Sequence, residues 1–145
     1  MTVDEILQRK GRDVITIASD STIEQVARRL TDHRIGALVV FAAGTADRMV
    51  GIITERDIVR LVAERGAAAL ALPAAAVMTG RVMTCSPSDP IDGLMALITR
   101  ERIRHVPVFE HEKLAGIVSI GDVVKHQLDE QAAEIGMWRE LFTPR

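Results

Sequence analysis

Gly51-Ile52-Ile53-Thr54-Glu55-Arg56-Asp57 and Gly116-Ile117-Val118-Ser119-Ile120-Gly121-Asp122 are two copies of one pattern. Each has a glycine, an aliphatic run, a hydroxyl residue and, three positions on, an aspartate. The aliphatic run predicts the end of a strand. The hydroxyl and the acid predict a helix start, because the hydroxyl can accept from one orphan amide while the carboxylate lies near another. The copies keep one spacing from end to end (116 − 51 = 65; 122 − 57 = 65).

Upstream the repeat continues in a second register. Ile103 stands opposite Ile35 (103 − 35 = 68), and Val82-Met83-Thr84-Cys85 stands opposite Val14-Ile15-Thr16-Ile17 at the same interval. One three-residue deletion between strands reconciles the registers, and surface loops tolerate such deletions. Each first strand, Val14 to Ile17 or Val82 to Cys85, leads into an amphipathic helix. Its apolar positions are Ile23, Val26, Ala27 and Leu30 in one copy and Ile91, Leu94, Met95 and Ile98 in the other, the period of a single helical face. Ser21 with Glu24 predicts a capping box for the first helix, and Asp89 with Pro90 at the first helical position marks the second. Two strands follow in each copy, Ala37 to Phe41 and Met49 to Ile53, then His105 to Phe109 and Leu114 to Ile120. A second helix closes each unit, from Asp57 to Arg65 before Gly66, and from Asp122 onward.

The fold class this predicts is α+β, two βαββα repeats packed against each other. The repeats span 8–67 and 77–131, with a C-terminal helical extension over 132–145. Leu38-Val39-Val40 and Ile117-Val118 are continuous apolar runs, which suits sheets covered on both faces. A unit of roughly 55 residues buries little core alone, so the two should share one. Ala67 to Ala76 is the linker, a short helix or a loop. In the extension, Ile135, Trp138, Leu141 and Phe142 fall broadly on one face, for packing on the same domain or for a dimer contact.

Bulk properties exclude several functions. A net charge of −2 and 3% aromatics with no tyrosine supply neither the basic patch nor the stacking platforms of nucleic-acid binders. No signal peptide or membrane span is apparent, and the single cysteine, Cys85, has no intramolecular partner, so a cytoplasmic location is expected. His33, His105, His111 and His126 lack zinc-ligand spacing. No phosphate-binding loop, dinucleotide fingerprint or nucleophile elbow is present, so no enzyme, metal or catalytic cofactor is expected.

The two Gly-to-Asp motifs, together with Arg104-His105-Val106-Pro107-Val108 and the linker Val77-Met78-Thr79, resemble the tandem CBS (cystathionine β-synthase) domain pair, the Bateman module. The resemblance covers roughly 8 to 130 of the chain. It implies that the two repeats pack with pseudo-twofold symmetry (CBS-domain pair) as a stand-alone regulatory module, commonly a homodimer, that binds AMP, ATP, NAD or S-adenosylmethionine in clefts between the repeats and signals to a separate effector protein. A ligand-free interaction or scaffolding module is the alternative.

The residues carry that implication unevenly. Asp57 and Asp122 are ribose candidates, since a carboxylate at a helix start accepts from a diol while the free amides suit phosphate. Capping alone explains the same residues, and the two uses are compatible. Thr54, Arg56, Ser119, Arg104 and His105 are phosphate candidates, Arg56 as a bidentate clamp. Ile17, Ala37, Val106 and Pro107 are candidates for the adenine pocket, or for plain core. Gly121 stands opposite Arg56, and Gly36-Ala37 opposite Arg104-His105, so the two half-sites should differ chemically.

Overall fold

The structure, a computed structural model, describes residues 1–135. It begins with a helix that the sequence reading did not assign, α1 (Val3–Lys10). The first repeat follows as β1 (Thr16–Ala18), α2 (Ile23–His33), β2 (Ala37–Phe41), β3 (Met49–Thr54) and α3 (Glu55–Arg65). The linker forms two short 3-10 segments, Gly66–Ala71 and Ala74–Ala76. The second repeat is α4 (Ile91–Glu101), β4 (His105–Glu110), β5 (Lys113–Ser119) and α5 (Ile120–Ile135). The reading of Trp138, Leu141 and Phe142 lies outside the described residues, as does most of the predicted extension.

In the first repeat β1 pairs parallel to β2, which pairs antiparallel to β3; in the second, β4 and β5 form an antiparallel pair. The predicted strand Val82 to Cys85 does not form. Only Cys85 meets the sheet, through an isolated parallel bridge to Val108. The cause is Pro107. Extending the ladder from Cys85 to Met83 would require an N–H from residue 107, which proline lacks. Val39, the counterpart of Pro107 in the first repeat, has that donor, and β1 pairs with β2 there in full.

Two helix starts also differ from expectation. The cap of α2 is Thr22, whose hydroxyl accepts from Gln25 N while Gln25 Oε1 accepts from Thr22 N; Ser21 and Glu24 are one residue out of phase. Pro90 is the residue before α4, not its first turn, and the Asp89 carboxylate accepts from Ser86 N. Both helices end on an arginine in the left-handed region, Arg34 and Arg102.

The core is double, and each half is completed from outside its own repeat. Ile17, Ile23, Val26, Leu38, Val40 and Ile53 pack with Ala74 and Met78 of the linker. Val3, Ile6 and Leu7 of α1 pack with Ile91, Leu94, Val106, Val108 and Val118 of the second repeat. The docking is alike in both halves. Val3 N donates to Asp89 O as Ala74 N donates to Ser21 O, and Thr2 bridges Pro90 as Pro73 bridges Thr22. The motif glycines are where these segments touch down. A Cβ at Gly51 would lie 2.5 Å from Met78 Sδ, and one at Gly116 would lie 2.7 Å from Leu7 Cδ2.

Candidate functional site

At both motifs the strand passes directly into the helix through a capping box. Thr54 Oγ1 accepts from Asp57 N at 3.3 Å, and Asp57 Oδ2 accepts from Thr54 N at 2.9 Å. Ser119 and Asp122 repeat this at 3.1 and 2.8 Å. The caps anchor both aspartates at helix starts, where the amide dipoles favour negative charge.

The start of α3 opens onto a cleft of about 820 Å³ between the repeats. That volume is of the size that holds a nucleotide-scale ligand. Thr54, Glu55, Arg56, Asp57 and Arg60 line one side. Arg81, Val82 and Met83 come from the segment that Pro107 keeps out of the sheet, and Arg102, Ile103, Arg104 and His105 from the turn into β4. The cleft thus gathers Arg56, Arg60, Arg81, Arg102 and Arg104 around Glu55, Asp57 and Glu101. Among the described residues none of these five arginines is in an ion pair, whereas Glu101 pairs with Arg100 at 3.1 Å. Arg56 in the first turn of α3 opposes the helix dipole, and Arg60 one turn on repels it. Five arginines against three carboxylates leave the cleft with an excess of positive charge.

His105 sits at the divide between the half-sites, its ring 3.3 Å from where a Gly36 Cβ would stand. Its Nδ1 is buried without a hydrogen-bond partner among the described residues. Burial holds the imidazole below its usual range and the Lys10 ammonium adds to this, against opposing pulls from Asp122 and Glu55.

The half-site at Asp122 is arranged differently. Lys10, at the end of α1, places Nζ 2.6 Å from Asp122 Oδ2 and 2.8 Å from Ile117 O. Burial pushes the Asp122 carboxyl up, but the Lys10 and Ser119 hydrogen bonds together outweigh it and hold the group below its usual range.

Of the residues singled out from sequence, the structure brings together Thr54, Arg56, Asp57, Arg104 and His105. Ser119 and Asp122 stand at the equivalent place in the other repeat. Ile17 and Val106 are buried in the two cores, and Ala37 and Pro107 are buried in β2 and β4; none of the four lines the cleft. Sequence reasoning passed over Arg60, Arg81, Arg102 and Lys10. The signals were available: Arg60 is one helical turn from Arg56, and Arg81 follows the Val77-Met78-Thr79 linker.

Two strand–helix repeats, joined across a cleft with a hydroxyl and an aspartate at each helix start, define a tandem-repeat module. The family model for the CBS domain matches residues 3–64 and 74–129, and the chain belongs to that family. It is similar to the mitochondrial CBS domain-containing protein CBSX3 of Arabidopsis thaliana, at 32% identity over 92% of this chain and 68% of that protein. It is also similar to the crystal structure of the CBS-domain containing protein ATU1752 from Agrobacterium tumefaciens, at 47% identity and TM-score 0.83 over 87% of this chain and 92% of that one. The CBS domain protein PAE2072 from Pyrobaculum aerophilum, complexed with AMP, matches at 31% identity and TM-score 0.78 over 92% and 99%. No helix among the described residues is long and apolar enough to cross a membrane.

Proposed function

We propose that this chain is a regulatory module that binds a phosphate-bearing adenine nucleotide in the Asp57 cleft, and that a separate effector protein reads the occupancy. The observation that carries this is the set of five arginines, without ion pairs among the described residues, around the Thr54/Asp57 helix start. Asp57 keeps Oδ1 for a ribose hydroxyl while Oδ2 caps α3. Arg56, Arg60, Arg81, Arg102 and Arg104 suit a phosphate chain, and bidentate guanidinium contacts supply direction as well as charge. Ile52, Val82, Met83 and Ile103 offer apolar walls to the base. AMP in the similar PAE2072 complex supports the adenine class. The charge favours ATP, ADP or NAD, with two or more phosphates, over AMP, and disfavours S-adenosylmethionine, whose sulfonium adds a cation to a cationic cleft.

A thermal-shift panel of AMP, ADP, ATP, NAD and S-adenosylmethionine tests this on nucleotide-free protein. Ligand at about 100 times its Kd stabilises by about 2.7 kcal/mol, which at this chain length is about 5–10 °C. Asp57→Asn should weaken binding far more than it lowers the ligand-free Tm. No shift with any member at millimolar concentration leaves the alternative, a ligand-free interaction module in which both aspartates only cap.

The homodimer proposal has its own support. Ile120, Val124 and Leu128 expose apolar surface along α5, and Val59, the counterpart of Val124, is 69% exposed on α3. Related apolar faces on both repeats suit a second copy meeting the first about a twofold axis. Light scattering at micromolar concentration should give twice the monomer mass, and a monomer mass removes the proposal.

A further inference from the structure

One backbone atom in β4 decides where a wall of the cleft stands. Cys85 N donates to Pro107 O at 3.0 Å, and Phe109 N donates to Cys85 O at 2.8 Å. The N–H and C=O of a strand residue point to the same side, so an amide at position 107 would be aimed at Met83 O, the next acceptor along a parallel ladder. Proline has no such amide. Among the described residues neither Met83 N nor Met83 O takes part in a backbone–backbone hydrogen bond. The first repeat supplies the comparison. Val39 stands where Pro107 does, and there the pairing runs one residue further back, to Thr16, the counterpart of Thr84 (107 − 39 = 68; 84 − 16 = 68). Ile15, the counterpart of Met83, packs against the first core. Met83 instead lines the cleft, together with Val82 and Arg81. One position in two copies of a fold thus serves a core where its partner has an N–H, and a cleft where its partner has none.

We infer that Pro107 is a positioning residue of the nucleotide cleft, ending the ladder at Cys85 so that residues 81–83 stay off the sheet and form the cleft wall. This rests on the nucleotide reading above and adds a residue that shapes the site without touching it, since Pro107 is buried in β4 and does not line the cleft. Restoring the N–H draws Met83 onto the sheet as Ile15 is drawn in the first repeat. Arg81 and the apolar surface of Val82 and Met83 then move away from the ligand.

Pro107→Val, which gives β4 the residue of the first repeat, tests this in the full chain. Amide exchange followed by NMR reads the ladder directly, and the new amide at position 107 should be protected. Isothermal titration with AMP and with ATP should show binding weakened by about tenfold or more. The ligand-free Tm should stay close to wild type, because the added hydrogen bond offsets the unfolded-state entropy that proline saves. Pro107→Ala supplies the same N–H on a smaller side chain and should weaken binding likewise, which separates the amide from the filling of the sheet. A freely exchanging amide at position 107 in both variants overturns the inference, as does a protected amide with unchanged affinity. Weaker binding in only one of two folded variants assigns the effect to side-chain shape and overturns it as well. In all three of these cases wild type still binds and the nucleotide reading stands. No uptake of AMP or ATP by wild type overturns that reading and the inference with it.

Discussion

Adding one methyl group to each motif glycine should give two different results. At Gly51 the new Cβ would lie 2.5 Å from Met78 Sδ and 2.9 Å from Met78 Cγ, but also 2.8 Å from Thr79 O. Carbon contacts are comfortable at about 3.5–4.0 Å, so something must give by up to about an ångström. Met78 can swing; the Thr79 carbonyl cannot. It accepts from Ile52 N at 3.0 Å, and Thr79 N donates back to Ile52 O at 2.9 Å. Overpacking of this kind costs about 1–3 kcal/mol. A strained backbone bridge adds about 0.5–1.5 kcal/mol for each bond lost, and lower unfolded-state entropy returns about 0.4–1 kcal/mol. Gly51→Ala should therefore destabilise by about 2–3 kcal/mol. At Gly116 the three nearest atoms all belong to the Leu7 side chain, at 2.7, 3.2 and 3.5 Å, and none of the three is backbone. The cost there should be about 1 kcal/mol, overpacking in the lower half of its range, about 1.5–2 kcal/mol, less the entropy gain. At about 2–4 °C per kcal/mol, circular dichroism melts should show a Tm loss near 4–12 °C for Gly51→Ala and near 2–4 °C for Gly116→Ala. Leu7→Met, which trades a branched for an unbranched side chain, should recover part of the Gly116→Ala loss. Met78→Ala should not rescue Gly51→Ala. Equal losses at the two glycines, or rescue by Met78→Ala, would refute the claim that the Thr79 backbone is the rigid partner.

Two further outcomes are expected. Leu7→Ala should cost about 2–5 kcal/mol although it lies in a short N-terminal helix, because Leu7 is fully buried under the second sheet, and hydrogen exchange should accelerate in β4 and β5 before β2. Stability should fall as pH drops below about 6.5, the unfolded histidine value, because His105 binds its proton more weakly when folded. His105→Gln should flatten the urea-unfolding profile between about pH 6.5 and 5, and an unchanged slope would remove His105 as its source.

The order of strands and helices was legible because it is written locally and twice. Apolar spacing gave α2 and α4, and Thr54 with Asp57 marked the strand-to-helix passage that the structure makes. Helix α1 carries the same kind of signal, with Val3, Ile6 and Leu7 on one face, but its partners β5 and α5 lie more than a hundred residues away. Local pattern has no access to that pairing. The missing strand at Val82 was legible in principle, since Pro107 removes the required donor, yet the argument needs the parallel register that only the fold supplies. The site divides along the same line. Residues next to the helix start were found, whereas Arg81 and Arg102 reach the cleft only because the second repeat folds across it. Ile17 and Val106 have the composition of pocket walls, but alternation along a strand does not say which face meets a ligand, and packing assigns them to the cores.

The crossing of α1 onto the second repeat has a consequence during synthesis. Val3, Ile6 and Leu7 leave the ribosome more than a hundred residues before Val118 and Val123, which finish the surface that receives them. The first repeat has no such delay, because its closing segment around Ala74 follows it directly. Over that interval the apolar stripe of this segment has no surface to dock on, and an eight-residue stretch is too short to hold its helix alone, so a later part of the chain both captures and orders an earlier one. A product truncated in the linker would leave Val3, Ile6 and Leu7 without their partners beside a first repeat whose own core is complete.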